Sequence, residues 1–207
     1  MIAAVAEAGV SGFLHRPREA DGRGLVLTHG AGGNCRAPLL SAAAAAFSAA
    51  GVTVLRCDMA FRQKRPRGPP HPATAAADRA CLGAAVAWLR LLTAGPVFIG
   101  GHSYGGRQAS VLAAEAPAIA AGLLLLSYPL HPPTRPDQMR TAHFPDLRTP
   151  AVFVHGDADP FGAIGALRAA IAAIPAPTRL IPVAGAGHDL RRGRIDFAPV
   201  VAALGAV

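Results

Sequence analysis

Six short runs of apolar residues alternate with longer, Ala-rich segments along this chain. The runs are Leu25–Thr28, Val52–Arg56, Pro96–Gly100, Gly122–Leu126, Ala151–His155 and Thr178–Val183. Their lengths, their unbroken hydrophobicity and their content of Val, Ile, Leu and Phe predict strands buried on both faces. The intervening segments Pro38–Ala50, Thr74–Leu92, Ser103–Glu115, Phe161–Ile174 and Ile195–Leu204 read as helices. Pro38 near a start and Gly51 past an end mark their limits, and Thr74 is expected to cap the second of them. Strand–helix alternation of this kind predicts a parallel sheet with right-handed crossovers. The fold class is therefore α/β, a three-layer α/β/α sandwich with a mostly parallel sheet and no large cap domain. Gly9–His15 is expected to add an antiparallel strand at the front. Arg62–Pro72 reads as a basic, Pro-rich loop, and Tyr128–Leu147 as a Pro-rich flap. A chain of 207 residues fits one domain, residues 1–207.

Composition narrows the function classes. With 52% hydrophobic and 15% charged residues the chain is not disordered. No apolar stretch is long and uninterrupted enough for a membrane span, since Glu115 and Pro117 break the longest. The N-terminus lacks a basic leader and meets Glu7 and Gly9 early, which speaks against a signal peptide. Three cysteines without close pairing (Cys35, Cys57, Cys81) suggest reduced thiols in a cytoplasmic protein. The net charge of +8 raises the question of nucleic acid. The arginines are dispersed, however, and aromatics make up only 5%, too few for stacking platforms. Neither a nucleic-acid nor a membrane partner is expected.

In an open parallel sheet, chemistry gathers at the carboxyl ends of the strands. After the strand ending at Gly100 the chain reads Gly101-His102-Ser103-Tyr104-Gly105-Gly106, a G-x-S-x-G string between strand and helix. Such a turn pushes a serine Oγ out over the sheet, and its glycines let neighbouring backbone pass close. A serine needs a base and an orienting acid, and in this architecture they follow in the order acid, then histidine. That order leaves His188, on the Gly-rich loop after Thr178–Val183. The acid follows Ala151–His155, where Asp159 is preferred to Asp157, with Asp189 behind both. Asp157 sits in the tight turn itself and is suited to capping backbone N–H groups. His102, adjacent to Ser103, is expected to point away from it. The oxyanion donors would be the backbone N–H of Tyr104 and of Ala31, in the loop His29-Gly30-Ala31-Gly32-Gly33, with Gly32 as the alternative to Ala31. His29, Gly32 and Tyr128 are expected to contact substrate. No cofactor and no metal are called for.

These residues together resemble the α/β-hydrolase superfamily from about Leu25 to Phe197. Finer strings resemble a compact dienelactone-hydrolase-like subgroup that includes the testis-expressed type and a domain of a chromatin-complex subunit. They are THGAGG (28–33), VLRCDMAFR (54–62), GHSYGGR (101–107), YPLHPP (128–133) and GDADPFG (156–162). The resemblance implies Ser103 as nucleophile, Asp159 as acid and His188 as base, and marks Arg107 as characteristic of the subgroup. Two departures stand out. Tyr104 occupies a place expected to hold Met. Dienelactone hydrolases proper carry a cysteine nucleophile where this chain has Ser103, so their substrate does not transfer.

The expected activity is that of a serine hydrolase cleaving a carboxylic ester or thioester; the alternative is a non-catalytic binding module on the same fold. The flap is too short for a helical cap, which favours small or exposed acyl groups. The clusters Arg62–Arg67 and Arg191–Arg194 should border the mouth, either as a cationic rim selecting anionic esters or as ordinary solvated loops.

Overall fold

A computed structural model describes residues 1–191 and 195–206. Its sheet has eight strands: β1 (Ile2–Glu7), β2 (Val10–His15), β3 (Gly24–Thr28), β4 (Thr53–Cys57), β5 (Val97–His102), β6 (Leu123–Leu126), β7 (Ala151–Gly156) and β8 (Thr178–Val183). Their spatial order is β1-β2-β4-β3-β5-β6-β7-β8. From β4 to β8 all neighbours are parallel, while β1 and β2 form a hairpin laid antiparallel against β4.

Side chains alternate along each central strand and divide the core into two layers. Val26, Leu55, Ile99, Leu125 and Phe153 face α3 (Ala75–Arg90), α4 (Tyr104–Glu115) and α5 (Ile164–Ile171). Leu25, Leu27, Val54, Phe98, Leu126 and Val154 face α1 (Pro38–Ala49) and α6 (Ala198–Gly205). Every residue of β3, β4, β6 and β7 is buried, which is why their sequences show no polar alternation. Fully buried alanines such as Ala43 and Ala44 in α1 and Ala109 and Ala113 in α4 let these helices lie close to the sheet.

Several boundaries differ from the sequence expectation. Strand β1 was not foreseen: five of its six residues are exposed, so it carries no burial pattern. Its turn to β2 places Ala8 (φ 51°) and Gly9 (φ 75°) in the left-handed region, as a two-residue hairpin turn requires. The basic loop begins as a helical turn, α2 (Ala60–Lys64), because the buried Asp78 carboxylate accepts the Phe61 N–H at 2.9 Å. Thr74 does not cap α3; its hydroxyl donates to the His71 carbonyl at 2.8 Å within a 3-10 turn. Helix α5 starts at Ile164 rather than Phe161, since Asp159 Oδ1 holds the Phe161 N–H in a turn. Helix α6 starts after Asp196, whose Oδ1 accepts the Ala198 N–H.

Strand β3 is followed in sequence by β4 on one side, and the chain then crosses back to place β5 on the other. The crevice between the loops leaving β3 and β5 is thus the topological switch point, where α/β sheets bind ligands.

Candidate active site

Ser103 caps the N-terminus of α4 with φ 51° and ψ −115°, a backbone conformation costing a non-glycine residue about 1–3 kcal/mol. Its own N–H is held by the Leu126 carbonyl at 2.9 Å, locking the turn to β6. The glycines of the motif are required by close approach. A Cβ on Gly101 would overlap the Thr28 carbonyl, and one on Gly105 would lie 2.6 Å from the His29 carbonyl oxygen.

Three side chains from three loops form one hydrogen-bonded line. Ser103 Oγ lies 2.8 Å from His188 Nε2. His188 Nδ1 lies 2.8 Å from Asp159 Oδ2 and 3.0 Å from Oδ1. A carboxylate only accepts, so Nδ1 carries the proton and Nε2 accepts from the serine hydroxyl. Asp159 is 4% exposed and Ser103 9%, so the line is shielded from water except near the imidazole. Asp157 instead turns outward and accepts the Gly185 N–H at 2.8 Å, bracing the loop that carries His188. Asp189 is exposed and faces Arg191 at 3.4 Å.

Two further groups position the imidazole, and the sequence had not singled them out for this role. Phe161 stacks on His188 with ring centroids 3.9 Å apart. His102 Nε2–H donates to the His188 carbonyl at 2.8 Å and clamps that residue's backbone. Burial lowers the pKa of His102 and keeps it neutral for this contact.

The loop after β3 is held from beneath. His29 is fully buried. Its Nδ1–H donates to the Gly30 carbonyl at 2.9 Å, and its Nε2 accepts the Met59 N–H at 3.2 Å. Burial depresses its pKa, consistent with this neutral tautomer. Because a trans peptide sets C=O and the following N–H in opposite directions, fixing the Gly30 carbonyl aims the Ala31 N–H away from His29. Arg62 Nη2 in turn binds the Ala31 carbonyl at 2.9 Å and the Gly68 carbonyl at 2.9 Å.

These contacts correct three expectations. His29 supports the loop from below and does not line the cleft. Tyr128 is fully buried, with its hydroxyl donating to the Arg140 carbonyl at 2.6 Å, and packs on Phe144 and Phe153. Arg62 is 5% exposed and is an internal tie rather than a rim charge. Lys64, Arg65 and Arg67 do not line the cleft either; from that loop Pro69, Pro70 and His71 do. Arg191 borders the cleft, while Arg192–Arg194 lie outside the described residues.

Ser103, Tyr104, His188, Ala31 and Gly32 open on a cleft of about 1110 Å³ with mainly apolar walls. Tyr104 turns its ring toward Phe61 and donates its hydroxyl to Asp78 at 2.8 Å; burial first, and that carboxylate next, raise its pKa. Among the described residues no group of three or more His, Cys, Asp or Glu could hold a metal ion. No described helix is long and apolar enough to cross a membrane.

An eight-stranded, mostly parallel sheet with a strained serine turn at its switch point is an α/β-hydrolase architecture. A family model described as an alpha/beta hydrolase domain matches residues 21–197, and the chain belongs to that family. Among solved structures, dienelactone hydrolase from Anabaena variabilis is 22% identical with a TM-score of 0.74, covering 100% of this chain and 94% of the other. Est1E from Butyrivibrio proteoclasticus is 18% identical with a TM-score of 0.74, covering 99% and 96%. XC6422 from Xanthomonas campestris, a serine hydrolase without a lid, is 18% identical with a TM-score of 0.73, covering 99% and 92%. At these identities the likeness is one of fold. The family membership supports a hydrolase.

Proposed function

We propose that this protein is a serine hydrolase that cleaves carboxylic esters or thioesters through an acyl-enzyme. The observation that carries the proposal is the 2.8 Å contact between Ser103 Oγ and His188 Nε2, backed by the 2.8 Å contact from His188 Nδ1 to the buried Asp159. Ser103 Oγ attacks the ester carbonyl while His188 takes its proton, and Asp159 fixes the tautomer and stabilises the imidazolium. The oxyanion is received by the N–H groups of Tyr104, at the start of α4, and Ala31. Gly32, open on its outer side, is the neighbouring donor. His188 then protonates the leaving alcohol or thiol, and water, deprotonated by the same imidazole, releases the acid. No step calls for a cofactor.

The test is turnover of short p-nitrophenyl esters by the wild type and by Ser103→Ala. The variant is expected to lose on the order of 10⁶ in kcat, as when one member of a cooperating triad is removed. Equal turnover by both would overturn the assignment.

A further inference from the structure

Four arginines line the cleft and the mechanism uses none of them; Arg79 and Arg191 face carboxylates, while among the described residues Arg107 and Arg140 face none. Arg107 lies one helical turn after Ser103 on α4, its N–H bonded to the Ser103 carbonyl at 2.9 Å. Residues four apart share a helix face, with Cβ atoms about 5–6 Å apart, so Arg107 projects beside the nucleophile. Arg140 arrives from the segment after β6. Its backbone is fixed on both sides: its N–H donates to the Leu130 carbonyl at 2.8 Å, and its carbonyl accepts from Tyr128 Oη at 2.6 Å. Both side chains line the cleft and both are half-buried. Burial lowers the pKa of Arg140, and the charge of the neighbouring Arg107 lowers it further.

Two like charges at an apolar wall repel one another and lose solvation, a cost normally offset by an anion. Among the described residues no carboxylate lies within 4.0 Å of either guanidinium, and neither side chain has a hydrogen-bond partner. The Arg107 Nε–H is buried without an acceptor. The contrast with the nearby Arg79 is informative: it also lines the cleft, but it is satisfied by Glu115 at 2.8 Å and Gln108 at 3.1 Å. His143, behind the pair, is held neutral, its pKa lowered to about 4 by burial and by Arg107, so it adds no competing charge at neutral pH.

We propose that Arg107 and Arg140 form a carboxylate subsite, and that the substrate is a short-chain ester bearing a free carboxylate, such as the hemiester of a small dicarboxylic acid. The proposal rests on the hydrolase reading for the identity of the reacting bond. It assigns the anion to the inner wall beside α4 rather than to the Arg62–Arg67 loop. Guanidinium groups pair with carboxylates through parallel N–H···O bonds, giving orientation as well as affinity. A substrate anchored there would present its ester to Ser103 in one orientation.

The experiment compares kcat/KM for the p-nitrophenyl hemiester of glutaric acid with that for the same ester with its free carboxylate methylated. The wild type should prefer the charged ester by about tenfold to a hundredfold at low salt, as expected for charge-assisted hydrogen bonds, and less at high salt. Arg107→Met and Arg140→Met should each bring the ratio toward one, and Arg140→Lys should keep part of it. Arg168→Met, on the exposed face of α5, should leave the ratio unchanged. A wild-type ratio near one, or a ratio unmoved in both Met variants, overturns the proposal. Calorimetric titration of glutarate into Ser103→Ala, and into that variant also carrying Arg140→Met, tests the subsite without turnover. Binding that the second change abolishes supports the subsite even if neither ester is cleaved, in which case the ester reading alone fails. The absence of binding to Ser103→Ala counts against the subsite.

Discussion

Asp157 and Asp159 leave the same turn in different directions, and the difference decides their roles. Asp159 is buried and faces the imidazole; Asp157 is exposed and braces the Gly185 N–H. Asp159→Asn should therefore cost about 10⁴ in kcat, because an amide favours the wrong tautomer of His188. Asp157→Asn should cost no more than about tenfold, since the loop retains the Asp157 N–H to Val183 and Ala158 N–H to Ala186 backbone bonds. Comparable losses in steady-state kinetics would contradict the distinction. Much of this constellation could be read from residue order alone: of eight histidines, only His188 lies beyond the Asp-bearing strand end that follows Ser103 in the chain. Side-chain direction could not be read so. His29 and Tyr128 belong to the right strings but turn inward, and the use of Phe161 and His102 as supports for His188 depends on contacts across the fold.

At the scale of elements, the central strands were legible because burial on both faces leaves an unbroken apolar run. β1 was not, because its exposed, Ala-rich residues pack on little. The helical turn α2 was hidden in a string of prolines and arginines, and it depends on the distant Asp78. That turn carries Arg62 to the Ala31 carbonyl, coupling a loop expected to be either a cationic rim or solvated to the peptide beside the serine. Arg62→Met should lower kcat by roughly ten- to a hundredfold, less than the 10²–10³ typical of losing an oxyanion donor outright. On the proposed mechanism KM should change less than kcat, because the Ala31–Gly32 peptide that Arg62 holds carries the Gly32 N–H, the alternative to the Ala31 donor, and meets charge that develops only in the transition state. A pure KM effect would show that Arg62 contributes to binding instead.

Across the whole molecule, the order of strands places the loops after β3 and β5 side by side, and the β7 and β8 loops reach the same crevice. Buried neutral histidines have a consequence for stability. His15 accepts Arg56 Nε–H at 2.8 Å, and burial, with the Arg56 charge, lowers its pKa from 6.5 to about 4; His143 is lowered likewise. Between those values the unfolded chain binds more protons than the folded one. Stability should therefore fall as pH drops from 6.5 toward 4. Scanning calorimetry should record a falling Tm over that interval, with a shallower slope in His15→Gln. Equal slopes would contradict the role given to His15.

The claim on which the functional account depends is that the Ser103 hydroxyl is activated by His188. The direct measurement is reaction with a fluorophosphonate probe, followed by mass spectrometric mapping of the modified peptide. One adduct on Ser103 is expected, abolished in Ser103→Ala and strongly slowed in His188→Ala. An unlabelled wild type, or labelling that persists at the same rate in both variants, would contradict it.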